Sequence, residues 1–225
     1  MDKMKFFWKF VITTRKTFER LLYYEDDAGV LKETFIQEQY AWLVKDLKPD
    51  TIAIDVGANI GDSAIYLAMQ PNIKEVWAYE PYPNIYKRLE ENISQSIRKD
   101  KIKIFNQAVS KPHSDYLFHI DEKEIAKADS PLKQGKGREI RAIGLDKIIE
   151  QIKGENIIIK MDCEGGEFYI LDKGLDLNRV YKMQIEVHKE FGSAEYIEVI
   201  LKDYGFKTKL DKGFIDKVMW LYAEK

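Results

Sequence analysis

Cysteine is nearly absent from this 225-residue chain: Cys163 stands alone, so no internal disulfide can form and nothing points to an oxidising compartment. Charge imbalance is missing too. Thirty-six Lys and Arg against 38 Asp and Glu leave a formal net charge of −2, which excludes a global basic field that would draw the chain onto nucleic acid. A local basic patch stays open. There are no internal repeats and no low-complexity tract. No apolar run approaches the roughly 18 residues that read as a membrane span. Lys3, Lys5, Phe6, Phe7 and Trp8 superficially resemble a secretion leader, but Lys9, Arg15 and Lys16 interrupt its apolar centre. A cytoplasmic location is the resulting expectation. What is present, 45% hydrophobic and 33% charged residues, suits a globular protein: one α/β domain with a full core and a short extra element.

Residues 4 to 24 put Phe7, Phe10, Val11, Phe18, Leu21 and Leu22 on one face at helical spacing. A second helical pattern runs from Lys32 to Leu47 with Phe35, Ile36, Tyr40, Leu43 and Val44. These segments predict an N-terminal helical cap over residues 1–48, ahead of a main domain at 49–225. The first helix is basic and amphipathic, which fits packing on the core or on a second subunit in a homo-oligomer, and also fits a membrane surface.

From Thr51 onward strands alternate with helices. Strands are expected at Thr51–Val56, Glu75–Tyr79, Ile102–Phe105, Asn156–Met161 and Met183–Val187, with helices at Asp62–Met69, Asn84–Arg98, Glu167–Asp172 and Ala194–Asp203. Near-continuous apolar strands alternating with helices predict a parallel sheet covered on both faces. Phe206–Leu210 and Val218–Tyr222 flank Asp211, Lys212 and Gly213 as a closing hairpin. Between Phe105 and Asn156 the pattern weakens to an added β-pair, Tyr116–Ile120 with Glu139–Ile143. The polar stretch Asp121–Gly137 reads as a functional loop over the acceptor pocket.

The sharpest motif is Asp55-Val56-Gly57-Ala58-Asn59-Ile60-Gly61, between the first strand of the sheet and its helix. Ligands of open α/β sheets sit beyond the carboxyl ends of the strands. Gly57 and Gly61 allow a sharp turn and a close backbone approach, and the helix start favours a carboxylate or phosphate. Glu80 ends the next strand 25 positions after Asp55, where an acid accepts hydrogen bonds from two ribose hydroxyls. A dinucleotide site wants G-x-G-x-x-G, whereas Ala58 and Asn59 follow Gly57 here. The methionine part of S-adenosylmethionine carries an ammonium that Asp55 could meet directly or through water. That cofactor fits better than NAD.

The motifs D-V-G-A-N-I-G at Asp55–Gly61, Y-E-P at Tyr79–Pro81, N-Q-A-V-S at Asn106–Ser110, I-K-M-D-C-E-G-G-E at Ile159–Glu167 and I-E-V-H at Ile185–His188 resemble the FkbM methyltransferases. The resemblance runs from Thr51 to His188. It implies the class I, Rossmann-like methyltransferase fold: a seven-stranded, mostly parallel sheet whose last hairpin inserts one antiparallel strand. It also implies S-adenosylmethionine and usually O-methylation of hydroxyls, often in glycans or natural products. Asn106 to Ala108 would lie near the adenine, with Gln107 offering its side chain and Ala108 its backbone. Pro81 would line the site beside Glu80, and Asn59 the turn.

Asp162, Glu164 and Glu167 follow one strand, Glu186 and His188 the next, and both groups leave the sheet at its carboxyl edge. Methyl transfer to a hydroxyl requires alignment and removal of one proton. Asp162, Glu186 and His188 are the candidate bases, with Asp162 also beside the cofactor. These ligand types suit Mg²⁺ or Mn²⁺, but no metal-ligand spacing is present and no metal site is assigned. Glu164 and Glu167 fit the cap of a helix beginning near Gly166, and Cys163 a small packed residue rather than a nucleophile. Against a small-molecule or glycan acceptor stand three alternatives: RNA methylation, for which the balanced charge and lack of an RNA module count against; an NAD oxidoreductase; and a non-catalytic cofactor binder.

Overall fold

The computed structural model describes residues 10–14, 17–21, 28–113, 117–120, 138–213 and 216–225. Its centre is a seven-stranded sheet in the order β11-β12-β10-β9-β3-β4-β5. The strands are β3 (Thr51–Val56), β4 (Ile73–Tyr79), β5 (Ile102–Phe105), β9 (Ile157–Met161), β10 (Val180–His188), β11 (Lys207–Lys212) and β12 (Val218–Glu224). Strands β3, β4, β5, β9 and β10 run parallel, while β12 is antiparallel to both β10 and β11. The closing hairpin therefore inserts the one reversed strand of this sheet, as expected.

Strand alternation divides the core into two layers. Ile52, Ile54 and Val56 join Ile157, Ile159 and Met161 on one face, under α4 (Leu145–Gln151) and α6 (Ala194–Asp203). Ala53 and Ile158 face the other way, toward α2 (Asp62–Ala68), α3 (Pro83–Gln95) and α1 (Ala28–Phe35). Burying each of these isoleucines contributes about 1.5–3 kcal/mol. Chain order reverses between β3 and β9, so the carboxyl ends of these neighbours diverge and leave a crevice there.

A smaller sheet, β6-β8-β7, joins Ala108–Ser110 (β6), Leu117–Ile120 (β7) and Arg138–Gly144 (β8). It contains the expected antiparallel pair, β7 with β8, and adds β6 in parallel. Helix α4 was missed because its seven residues begin directly where β8 ends. The loop expected at 121–137 lies outside the described residues.

The N-terminal region departs from expectation. Phe10–Thr14 (β1) and Thr17–Leu21 (β2) form an antiparallel pair, Phe10 opposite Leu21 and Thr14 opposite Thr17, not a helix. Val11, Ile12, Thr13, Thr14 and Thr17 are β-branched and stiff at χ1, so they favour extended backbone over the helix that the apolar spacing suggested. The helical face considered for a membrane surface is thus not formed by these strands. Among the described residues no helix is long and apolar enough to cross a membrane. The second expected helix is also corrected: α1 spans Ala28–Phe35, and residues 36–46 continue as turns with Glu38 and Asp46 at positive φ. Side chains of β10 draw carbonyls of this segment out of helical register. Lys182 Nζ donates to the Lys45 carbonyl at 2.8 Å and Gln184 Nε2 to the Gln39 carbonyl at 2.8 Å. Leu31, Tyr40, Leu43 and Leu47 bury against the main sheet, so this strap closes one face of it.

Arg179, just ahead of β10, gathers the C-terminal carbonyls of α4. Its guanidinium donates to Ile152 O at 2.7 Å, to Gly154 O at 2.9 Å and to Ile149 O. Arg179→Met should lower the unfolding free energy by about 2–3 kcal/mol, because charge-assisted bonds to otherwise orphaned carbonyls are lost. Urea unfolding followed by circular dichroism tests this; an unchanged midpoint would remove Arg179 from the fold's supports.

Candidate functional site

The site grows from one row across the main sheet. Asp55 on β3 and Lys160 on β9 are register partners on the face covered by the strap, and Gln184 on β10 continues the row. Lys160 is a cation inside an otherwise apolar strand, with 3% of its side chain exposed. Its Nζ lies 3.2 Å from Asp55 Oδ1, donates to the Gly57 carbonyl at 2.7 Å, and stands 4.0 Å from Asp162 Oδ2. The Tyr40 ring of the strap lies 5.9 Å away. Burial opposes the ammonium charge, but Asp55, Tyr40, Asp162 and Asp62 outweigh it and hold the Lys160 pKa well above its ordinary value. Asp55 is wholly buried, and its second oxygen accepts the Ser63 hydroxyl at 2.6 Å.

The turn after β3 folds against its own protein. Gly57 has φ +78°, and a Cβ there would fall 1.8 Å from the Asp162 carbonyl. Gly61 has φ +95°, and a Cβ there would fall 2.7 Å from Leu89 Cδ1. Positive φ favours glycine at both positions, and at Gly57 the backbone of Asp162 leaves no room for a side chain. The Gly57 and Ala58 amides both donate to the Tyr79 carbonyl at 3.0 Å. Asp62, behind the turn, accepts the Thr34 hydroxyl at 2.6 Å, and burial raises its carboxyl to about 6.

Glu80 closes the crevice from β4. Its Oε2 accepts the Asn59 amide at 3.0 Å, with Asn59 at φ +47°, and its Oε1 accepts the Tyr82 amide at 2.8 Å. A carboxylate has about four acceptor positions. Two are used here, by the Asn59 and Tyr82 amides, and burial pushes the Glu80 pKa up to about 8. A carboxylate short of donors at the crevice suits a ribose diol, so these residues fit a nucleoside cofactor. Asn106 ties β5 to this loop through Nδ2 bonds to the carbonyls of Glu80 at 2.9 Å and Pro81 at 3.0 Å. Gln107 and Ala108 follow it, half-buried, and Ala108 opens β6.

At the ends of β9 and β10 the acids gather. Glu167, wholly buried at the start of α5 (Glu167–Ile170), accepts the amides of Gly165 at 2.9 Å and His188 at 2.7 Å, and faces His188 Nδ1 at 3.3 Å. It therefore bridges two strand ends, which is more than the helix cap expected of it. His188 Nε2 lies 3.3 Å from Glu164 Oε2. Ligand-type atoms of Asp162, Glu164 and His188 all lie within 4.8 Å of one another. Burial would lower the His188 pKa, but the Glu167 hydrogen bond and the charges of Glu167, Asp162 and Glu164 lift it to about 9. Burial first, and the Asp162 charge second, raise Glu186 to about 8. Burial and Glu167 push the Cys163 thiol well up, which argues against a nucleophile.

All the candidate residues, Asp55, Gly57, Asn59, Gly61, Glu80, Pro81, Gln107, Ala108, Asp162, Glu186 and His188, thus stand at the carboxyl edge of β3, β4, β5, β9 and β10. Sequence reasoning missed Lys160, Tyr40 and the bracing role of Asn106. For Lys160 a signal existed: a lone charge in Ile-Ile-Ile-Lys-Met, on the alternate face from its apolar neighbours.

Residues 55–208 match the family model described as the methyltransferase FkbM domain. The hexuronic acid methyltransferase AglP of Haloferax volcanii is 27% identical over 181 residues, covering 78% of this chain and 72% of that protein. Methyltransferase sdnD of Sordaria araneosa is 25% identical, covering 87% and 89%. The AMB antimetabolite synthetase AmbE of Pseudomonas aeruginosa is 24% identical over 80% of this chain, which spans only 11% of that protein. Among solved structures, Methyltransferase FkbM from Methylobacillus flagellatus superposes with TM-score 0.54 at 17% identity, over 81% of this chain and 45% of that one. TrmK of M. capricolum, solved with S-adenosylhomocysteine, gives TM-score 0.52 at 11% identity, over 83% of this chain and 67% of that one. The sheet is that of the class I methyltransferases.

Stability should depend on pH through the raised groups. Glu80 and Glu186, ordinarily near 4.5, titrate at about 8 in the fold, and His188, ordinarily near 6.5, at about 9. Each binds more protons folded than unfolded in that window, so its stabilising contribution is full below the unfolded value and is lost as pH rises through the folded one. The thermal midpoint of the free protein should fall steadily from pH 6 to pH 9. A midpoint that rises over this range would show that these groups are not buried in protonated form.

Proposed function

The chain belongs to the FkbM methyltransferase family, and from that premise we propose that it is an S-adenosylmethionine-dependent O-methyltransferase acting on a hydroxyl of a sugar, glycan or other small molecule. The observation that carries this reading is the pairing, along one sheet edge, of the donor-poor Glu80 carboxylate with the acid and imidazole cluster at Asp162, Glu186 and His188. The cofactor supplies a methyl group already activated on a sulfonium.

In this reading Glu80 accepts the ribose hydroxyls, the loop of Asn59 and Pro81 shapes that end, and Gln107 with Ala108 borders the adenine. The turn from Gly57 to Gly61 and the carboxylate of Asp162 receive the amino-acid end. Asp55 contributes from beneath, since its oxygens are engaged by Ser63 and Lys160. Glu186 is the preferred base. Glu167, Asp162 and Glu164 hold His188 as a cation, which has no lone pair to take a proton, whereas Glu186, kept toward its neutral form by burial and the Asp162 charge, would shift toward the carboxylate that a base requires when a sulfonium lies beside it. A cation held there by Glu167 and Glu164 would orient an acceptor oxygen rather than deprotonate it. The sugar-directed part of the proposal is supported by the relative that acts on a hexuronic acid.

Two measurements test it. Calorimetric titration should show micromolar S-adenosylhomocysteine binding and no NAD binding, with Glu80→Ala weakening the former at least about tenfold, the loss of one or two charge-assisted hydrogen bonds. NAD binding would overturn the methyltransferase reading, and binding of neither would favour a non-catalytic relative. On a panel of uronic acid glycosides, Glu186→Gln should reduce kcat by about 10²–10⁴-fold and remove the rise in rate toward pH 8. Retained pH dependence in that variant would move the base elsewhere.

A further inference from the structure

The ion pair beneath the turn carries an inference that rests on the cofactor reading and refines it. Asp55 offers no open oxygen: Ser63 takes one, Lys160 faces the other, and the residue is wholly buried. Asp162, by contrast, keeps 29% of its side chain exposed and stands beside the same turn. Of these two carboxylates, the one open to a ligand ammonium is therefore Asp162, directly after β9, and Asp55 balances the charge of Lys160.

Lys160 does what an apolar residue in its place could not. A buried ion pair is often no more stabilising than apolar side chains filling the same volume, so its charge calls for another explanation. The peptide between Gly57 and Ala58 is held at both polar atoms, its N–H by the Tyr79 carbonyl at 3.0 Å and its oxygen by Lys160 at 2.7 Å. A glycine peptide at φ +78° is otherwise free to rotate toward other conformations. The Asp162 amide donates to the Val56 carbonyl at 3.0 Å, and the Asp162 carbonyl lies against Gly57 where a Cβ would be. Turn and carboxylate are one unit, and the ammonium is the tie between them.

We propose that Lys160 is a positioning residue for the amino-acid end of the cofactor, clamping the Gly57 carbonyl and setting the place of Asp162. It touches neither the nucleoside nor the transferred group. Its removal should cost affinity for ligands that carry the amino-acid tail and spare those that lack it.

S-Adenosylhomocysteine and 5′-methylthioadenosine share the nucleoside and thioether but differ in that tail, and titration calorimetry on the full chain compares them. Lys160→Met should weaken S-adenosylhomocysteine about 10- to 100-fold, the range for losing a charge-assisted hydrogen bond, and shift methylthioadenosine less than about threefold. Because Lys160→Met leaves Asp55 buried without its counter-charge, the double variant Asp55→Leu/Lys160→Met removes both charges and keeps the volume filled. It should show the same selective loss, with a thermal midpoint close to wild type. Equal loss of both ligands, or a wild-type preference retained in the double variant, would overturn the positioning role while leaving the methyltransferase reading intact. Failure of wild type to bind either ligand would overturn both.

Discussion

The contact between Asp55 and Lys160 joins β3 to β9 at the place where strand order reverses, and much else hangs from it. Parallel neighbours there send their following segments to opposite faces, so their exits diverge and a crevice opens. A crevice with soft walls would hold nothing in register. The ion pair stiffens both walls at once, because Lys160 reaches from β9 to the carbonyl after β3, and Asp162 returns its amide to Val56. Glu80 repeats the device on the other side, with one carboxylate receiving amides from the turns after β3 and after β4. Glu167 does so a third time, between the exits of β9 and β10. Buried polar side chains thus replace regular hydrogen bonding at the points where the sheet has ended but geometry must still be kept.

The same face explains the strap. A parallel sheet covered by helices wants apolar side chains on both sides, yet Lys160, Lys182 and Gln184 are buried polar residues on neighbouring strands. Lys182 and Gln184 supply donors to carbonyls of residues 39 and 45, while Tyr181 receives the Lys48 amide and contacts the Thr51 hydroxyl. A segment of turns has many unpaired carbonyls, and a purely apolar sheet face could not cover it without leaving them unsatisfied. The polar row makes docking of residues 36–48 specific, and it brings Tyr40 onto Lys160 at the edge of the crevice.

These two devices mark the boundary of what could be read from the sequence. Strands β3, β4, β5, β9 and β10 were legible because their apolar runs are bounded by charged or turn-forming residues, and the closing hairpin because Asp211, Lys212 and Gly213 interrupt it. The placement of the residues at the strand exits was legible because it follows from their position directly after the apolar strands. The strap was not. Its apolar residues recur at helical spacing, and only the tertiary contacts from Lys182 and Gln184 decide that its carbonyls leave the helix. The opening hairpin was misread for a simpler reason: spacing was weighed and the β-branched run from Val11 to Thr17 was not. The lone charge amid isoleucines marks Lys160 in the sequence, but what it pairs with is visible only once the register sets it opposite Asp55.

The acids at the ends of β9 and β10 complete the logic of the edge. Asp162, Glu164, Glu167 and Glu186 lie near a single imidazole; burial and neighbouring acids raise Glu164 and Glu186, while Glu167, Asp162 and Glu164 hold the proton on His188. In the proposed reading, a sulfonium donor bound beside this cluster would place a positive charge near Glu186 and favour its carboxylate form. Donor binding and proton removal would then be coupled through one local field. A neutral pocket of the same shape would align an acceptor equally well, but it would lack this coupling.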